Sequence, residues 1–243
     1  VIRSMLKLRM LSQGIAGPRF ERPEEVVEWM GAMQAQEIRA AKWAVGLRIA
    51  KPSLTAVQEA LDSGRILRTH VMRPTWHYIP GKDIKWMTEL SAKSMLSKFS
   101  FYAKHHGLTK EDCLLYKPQI EEILTGQHLT CQEALEQLQL KGITLSEPIV
   151  KMHLSFGEAD GTICSGIEKN GKHTYALTSE RIPDAIELSR EEALAELARR
   201  YFRSHGPATL EDFVWWSALN IREARSAIAS VSYTHLTLPT SDL

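Results

Sequence analysis

The sequence predicts a mainly α-helical chain with small β-hairpin wings, an α+β fold of tandem winged helix-turn-helix repeats. Three observations carry this. Segments of helical period lead into residues 66–79, where apolar residues alternate instead. The same order returns between 109 and 177 and closes around Asn170-Gly171, a strong hairpin signal. At Ser189 a third copy opens, then breaks off before any hairpin. The expected organisation is a first winged helix at 1–108, a second at 109–187, a partial third at 188–229 and a non-native tail at 230–243.

Residues 3–13 read as a helix with Met5, Leu8 and Leu11 on one face, ended by Gly14-Ile15-Ala16-Gly17-Pro18. Pro23 suits a first helical turn, and Glu24 and Glu25 suit the positive end of the helix dipole. Val26, Val27, Met30 and Met33 give that second helix its apolar face, to about Gln34. A third helix is expected over 39–48 with Trp43 and Leu47 inward. Ser53 or Thr55 caps a fourth, which stops at Gly64. The hairpin at 66–79 and a long helix over 81–106, ended at His105-His106, complete the first repeat. In the second, a helix over 109–124 precedes one started by the Thr130/Glu133 capping box. A helix over 146–161 and a hairpin over 162–177 follow. The Ser189/Glu192 box starts the third repeat, whose next helix carries Phe213, Trp215 and Trp216; the tryptophans are expected in the core, with base-stacking platforms as the alternative.

The chain has 243 residues with 44% hydrophobic content, enough for a sizeable core. No apolar run reaches the roughly 18 residues of a membrane span, and no signal peptide is visible. Cys113, Cys131 and Cys164 form no Cys-x-x-Cys pair, so neither a zinc site nor a disulfide scaffold is expected. A reduced cytoplasmic setting fits, with no metal and no cofactor. The chain does not begin with Met and reads as a piece of a longer one.

The net charge of +1 conceals an asymmetry. Residues 1–110 carry 18 Lys+Arg and 9 Asp+Glu, a net of +9; residues 111–243 carry 12 and 20, a net of −8. A basic first half points to a polyanion partner. Candidate DNA contacts are Arg39 and Lys42 on the third helix, Arg68, Arg73 and Lys82 on and after the first wing, and Lys169 and Lys172 beside the second hairpin tip. His77, between Trp76 and Tyr78, is a further candidate, or a satisfied core histidine. Gln34 and Gln36 are two amides one residue apart. Two residues apart on a helix point about 200° apart, so the pair converges only if the helix ends there. Otherwise they are exposed glutamines at a helix end. Glu37 is the rival polar group, with pairing to Arg39 or Lys42 as its alternative.

The pieces MQAQEIRAAKWAVGLR, RTHVMRPTWHYIPGKD, GTICSG…KHTYAL and YFRSHGPATLEDFVWWSAL resemble the AlkZ/AlkX (YcaQ-like) winged-helix family of bacteria. The resemblance spans about residues 3–229. It implies three tandem winged helices clamping double-stranded DNA with alkylated bases, and a monomer with no membrane attachment. It also implies a monofunctional glycosylase that hydrolyses the N-glycosidic bond of alkylated purines in base excision repair. Characterised members carry Gln-x-Gln or Gln-x-Asp as their catalytic signature, and Gln34-Ala35-Gln36 is similar to the first. The departures are the third repeat, which lacks its hairpin, and the final residues, which resemble sequencing-adapter read-through or, since they alternate, form a genuine strand. The alternative class is a non-catalytic winged-helix DNA-binding protein or transcriptional regulator, which needs no paired amides.

Overall fold

The computed structural model describes residues 2–17, 19–105 and 107–231. His106 and the tail from Ser232 onward lie outside them. After α1 (Ile2–Ser12) come α2 (Pro23–Met30), β1 (Met33–Gln34), α3 (Ile38–Gly46), α4 (Leu54–Asp62), β2 (Ile66–His70) and β3 (Trp76–Pro80). The three strands form an antiparallel sheet in the order β1-β3-β2. Helix, short strand, two helices and a hairpin whose last strand takes the centre is winged-helix topology.

Local chemistry sets the boundaries. Gly31, at φ 79°, ends α2 at Met30, short of the expected Gln34. The Ser53 hydroxyl accepts from Ala56 N at 3.1 Å and starts α4. A single turn of 3-10 helix leads from β3 into α5 (Ile84–His105).

The expected helix over 109–124 is two, α6 (Lys110–Leu115) and α7 (Lys117–Leu124), broken at Tyr116 with Pro118 opening the second. Then come α8 (Cys131–Leu140), α9 (Glu147–Ala159), β4 (Ile163–Ser165) and β5 (Tyr175–Leu177). A bridge between Leu129 and Tyr175 occupies the place that β1 holds in the first unit. The hairpin tip turns through Asn170 and Gly171, both at positive φ, as a type I′ turn requires. After α10 (Thr178–Arg181), a third unit supplies α11 (Arg190–His205), α12 (Leu210–Ser217) and α13 (Ile221–Val231). Among the described residues no strand follows β5. The tail expected at 230–243 lies outside the described residues except for Ser230 and Val231, which end α13.

The sheet of the first unit is covered on both faces. Met33, Ile66 and Tyr78 join the core of its own helices. Leu67, Val71 and Ile79 join Leu197, Tyr201, Phe213 and Ala224 of the third unit. The β2 edge meets the second unit, where Arg68 N donates to Ser165 Oγ at 2.9 Å. This wing is therefore a structural centre and not a free flap.

Several outward and inward assignments change. Ala41, Val45 and Gly46 are the buried face of α3, so Trp43 and Leu47 point outward. Met5, Leu8 and Leu11 are exposed as well. Among the described residues no helix is long and apolar enough to cross a membrane.

Candidate active site and nucleic-acid interface

The Gln-x-Gln stretch is extended, not helical. Met33 pairs with Tyr78 and Gln34 with His77 across β1 and β3, and Ala35 N continues the ladder to Trp76 O at 2.7 Å. Met33 and Ala35 are buried while Gln34 and Gln36 are exposed. Gln34 ends β1 and Gln36 lies in the bend that follows, so the two exposed amides stand on either side of buried Ala35, outside any helix. Gln36 Oε1 accepts from Trp76 N at 3.3 Å, leaving its second lone pair and its NH2 free. Glu37 follows as the N-cap residue of α3.

Arg68 supports this stretch from within. It is 7% exposed; its Nε donates to Ala35 O at 3.0 Å and its Nη2 to Gln36 O at 3.3 Å. Its guanidinium carbon lies 4.1 Å from the Trp76 ring centroid. Behind Trp76 are His70, with ring centroids 4.1 Å apart, and His173, at 4.4 Å. His70 Nδ1 is 2.8 Å from Glu158 Oε2. Glu158 is fully buried, and burial pushes its carboxyl above the usual carboxylate range against the pull of His70. Arg68 was expected on phosphate. A guanidinium enclosed by two units and committed to backbone carbonyls does not present itself there.

His77 is likewise buried at 6% exposure. Its Nδ1–H donates to Thr75 O at 2.9 Å, and burial lowers the ring to about 4. At neutral pH it is an uncharged core imidazole opposite Gln34, not a cationic phosphate contact.

The remaining cations divide by partner. Lys42 is half-buried and ion-paired with Glu168 at 2.9 Å, joining α3 to the second unit. Lys82 pairs with Glu28 at 2.9 Å, and Lys169 bonds both carboxylate oxygens of Glu133 at 3.0 and 3.1 Å. Arg39 and Lys172 are exposed, and among the described residues neither side chain has an ion-pair partner. Arg73 lies over the Trp215 ring at 4.1 Å. Trp215 is 72% exposed, whereas Trp216 packs on the core. The signal for Trp215 was in the sequence: consecutive residues on a helix diverge by about 100°, so adjacent tryptophans cannot both enter one core. Glu158 and Glu168 had no comparable signal, because their partners come from another unit.

Cys113 and Cys164 are buried, and burial raises their thiols to about 11 and about 12. Among the described residues no cluster of His, Cys, Asp and Glu has the arrangement of a metal site.

This architecture and the Gln-x-Gln strand can be set beside known proteins. The solved structure of the Streptomyces sahachiroi DNA glycosylase AlkZ shares the fold, with a TM-score of 0.73 at 22% identity; the match covers 91% of this chain and 62% of that one. An interstrand DNA cross-link repair glycosylase of Streptomyces sahachiroi is 23% identical over 228 residues, 90% of this chain and 61% of the relative. The chain thus spans about three fifths of the length of the relative it matches. The family described as DNA glycosylase AlkZ-like matches residues 27–236, which include Gln34, Gln36, Arg68, Arg73 and Trp215. On that match, the chain belongs to the AlkZ-like DNA glycosylase family.

Proposed function

We propose that this protein is a monofunctional DNA glycosylase that hydrolyses the N-glycosidic bond of alkylated purines, with Gln34 and Gln36 orienting the attacking water. The observation that carries this is the exposure of both amides at the end of an edge strand, on either side of buried Ala35. An N7- or N3-alkylated purine is already cationic, so it departs without a general acid. What remains is to place water against the anomeric carbon and stabilise an oxocarbenium-like state. Neutral amide oxygens suit both tasks: they accept from water and carry no charge to desolvate. With His77 uncharged and Arg68 committed below, the groups that face the reacting nucleotide are the two amides, with Glu37 next in line. A non-catalytic DNA-binding protein has no use for this pairing.

DNA contact falls to the exposed cations Arg39 and Lys172 and to the partly exposed Arg73, with Lys82 and Lys169 able to exchange surface carboxylates for phosphates. The interstrand cross-link repair activity named for the relative extends the candidate lesions to alkylated bases joined across the duplex. Incubating the protein with duplex DNA containing N7-alkylguanine and measuring abasic sites tests the reading. Abasic sites at the modified guanine and not in unmodified DNA are expected; intact alkylated DNA after prolonged incubation contradicts it.

A further inference from the structure

Trp215 is placed outward by the fold. α3 and α12 share a burial pattern, differing over their first eight residues only at the third, Ala40 against Asp212. Their fourth residues, Ala41 and Phe213, are buried, as are their eighth, Val45 and Ser217. Their sixth residues are Trp43, 54% exposed, and Trp215, 72% exposed. A tryptophan left this open gains little of the burial that makes the residue favourable in folding.

Its position relative to Gln34 and Gln36 is specific. A Cβ on Gly31, three residues before Gln34, would lie 3.6 Å from Trp216 Cη2. So α12 borders the start of β1. One residue earlier on α12, Trp215 meets Arg73 at the tip of the β2–β3 hairpin. Three residues after Arg73 comes Trp76, whose N–H bonds Gln36. Gln34, His77 and Thr69 share one face of the sheet, the face on which Leu67 and Ile79 meet the third unit. Trp215 therefore flanks the outward amides on the side of the hairpin tip.

The tip is strained. Met72 has φ 62° although it is not glycine, and Arg73 N donates to Val71 O at 2.6 Å, closing a γ-turn. A non-glycine residue persists in that region only when its surroundings fix it. Here the buried Met72 side chain does so, as part of the shared core. The turn directs Arg73 outward onto Trp215. The result is an exposed indole with a cation on one side, beside two amides at an edge strand.

We propose that Trp215, held by Arg73, is a stacking platform for a nucleobase of the bound duplex, next to the nucleotide presented to Gln34 and Gln36. This rests on the glycosylase reading. Every base has a π-face, so an indole accepts any neighbour of the lesion, and Arg73 adds attraction to both the ring and the phosphate backbone. Such a platform would compensate the stacking lost when the damaged nucleotide leaves the helix.

The test uses a duplex carrying a tetrahydrofuran abasic analogue with 2-aminopurine beside it, titrated with the parent protein, Trp215→Ala and Trp215→Phe. Trp215 contributes little to the core, so equal melting temperatures confirm folded variants. The parent is expected to quench 2-aminopurine on binding. Trp215→Ala should lose the quench and bind about 10-fold or more weakly, in line with alanine removal of a stacking aromatic; Trp215→Phe should keep most of both. Parent-like quenching and affinity in Trp215→Ala overturn the platform. So does a parent that excises N7-alkylguanine yet leaves 2-aminopurine bright, and that result leaves the glycosylase reading standing. A parent that neither binds this duplex nor excises alkylated guanine overturns both.

Discussion

The Arg68 guanidinium lies over the Trp76 ring, its carbon 4.1 Å from the centroid, and between them the two residues hold Gln36. Arg68 bonds the Gln36 carbonyl, while Trp76 bonds its side-chain amide through its own N–H. One residue thus fixes the main chain of the second amide and the other its side chain.

Arg68 should accordingly act on rate through position. Arg68→Lys keeps a charge but loses the planar fork that reaches Ala35 and Gln36 together. Leaving those carbonyls unpaired should cost about 1–3 kcal/mol of stability. Excision under single-turnover conditions should fall by roughly tenfold to a hundredfold, since small displacements of catalytic groups cost that much. DNA affinity, measured by anisotropy, should change little. Equal losses in affinity and rate would place Arg68 at the DNA instead.

Lys42 and Arg39, three residues apart, should separate cleanly. Lys42→Ala should weaken folding, with a coupling to Glu168 of about 1 kcal/mol in a double-mutant cycle, because the pair is largely enclosed. The salt dependence of DNA binding should not move. Arg39→Ala should leave folding intact and reduce the slope of log K against log salt by about one. The reverse assignment would show that α3 meets DNA through its other edge.

Acid should destabilise the fold through buried histidines. Burial lowers His77 to about 4, His173 to about 3 and His205 to about 4. Each lies below the ordinary value, so the unfolded chain takes up these protons first. Their contribution is complete above about pH 6.5 and declines as pH falls towards the folded values, by about 1.4 kcal/mol per pH unit for each ring. Glu158 works in the opposite direction, since its carboxyl is raised, but it is one group against these three and buried His153, which burial also lowers. The melting temperature should drop between pH 7 and pH 5, and His77→Gln should flatten that drop. A flat profile in the parent would contradict the burial argument.

How much of this was readable from the chain depends on the range of the interactions. The capping boxes at Thr130/Glu133 and Ser189/Glu192 formed where expected, as did the turn at Asn170-Gly171, because each is decided within a few residues. Hairpins and helix order followed from periodicity for the same reason. The two-residue strand β1 was not legible, since it exists only by pairing with β3. Without it, Gln34 and Gln36 fall at a helix end, whereas in the fold that helix stops at Met30 and a strand intervenes. Arg68 was misplaced, and His77 left open between DNA and the core, because alternation shows which residues share a face but not that another unit covers it. The charge asymmetry had the same limit: Lys42 and Lys82 are basic in sequence but paired in the fold.

The most direct measurement is single-turnover excision of N7-alkylguanine from duplex DNA by the parent, Gln34→Ala, Gln36→Ala and the double variant, with binding measured in parallel. Losing one preorganised hydrogen-bonding group should cost roughly 2–4 kcal/mol of transition-state stabilisation, or about two to three orders of magnitude in rate. If the amides hold a single water, the double variant should lose less than the sum of the two, with affinity nearly unchanged throughout. Near-parent excision by the double variant would contradict the account and move the chemistry to Glu37.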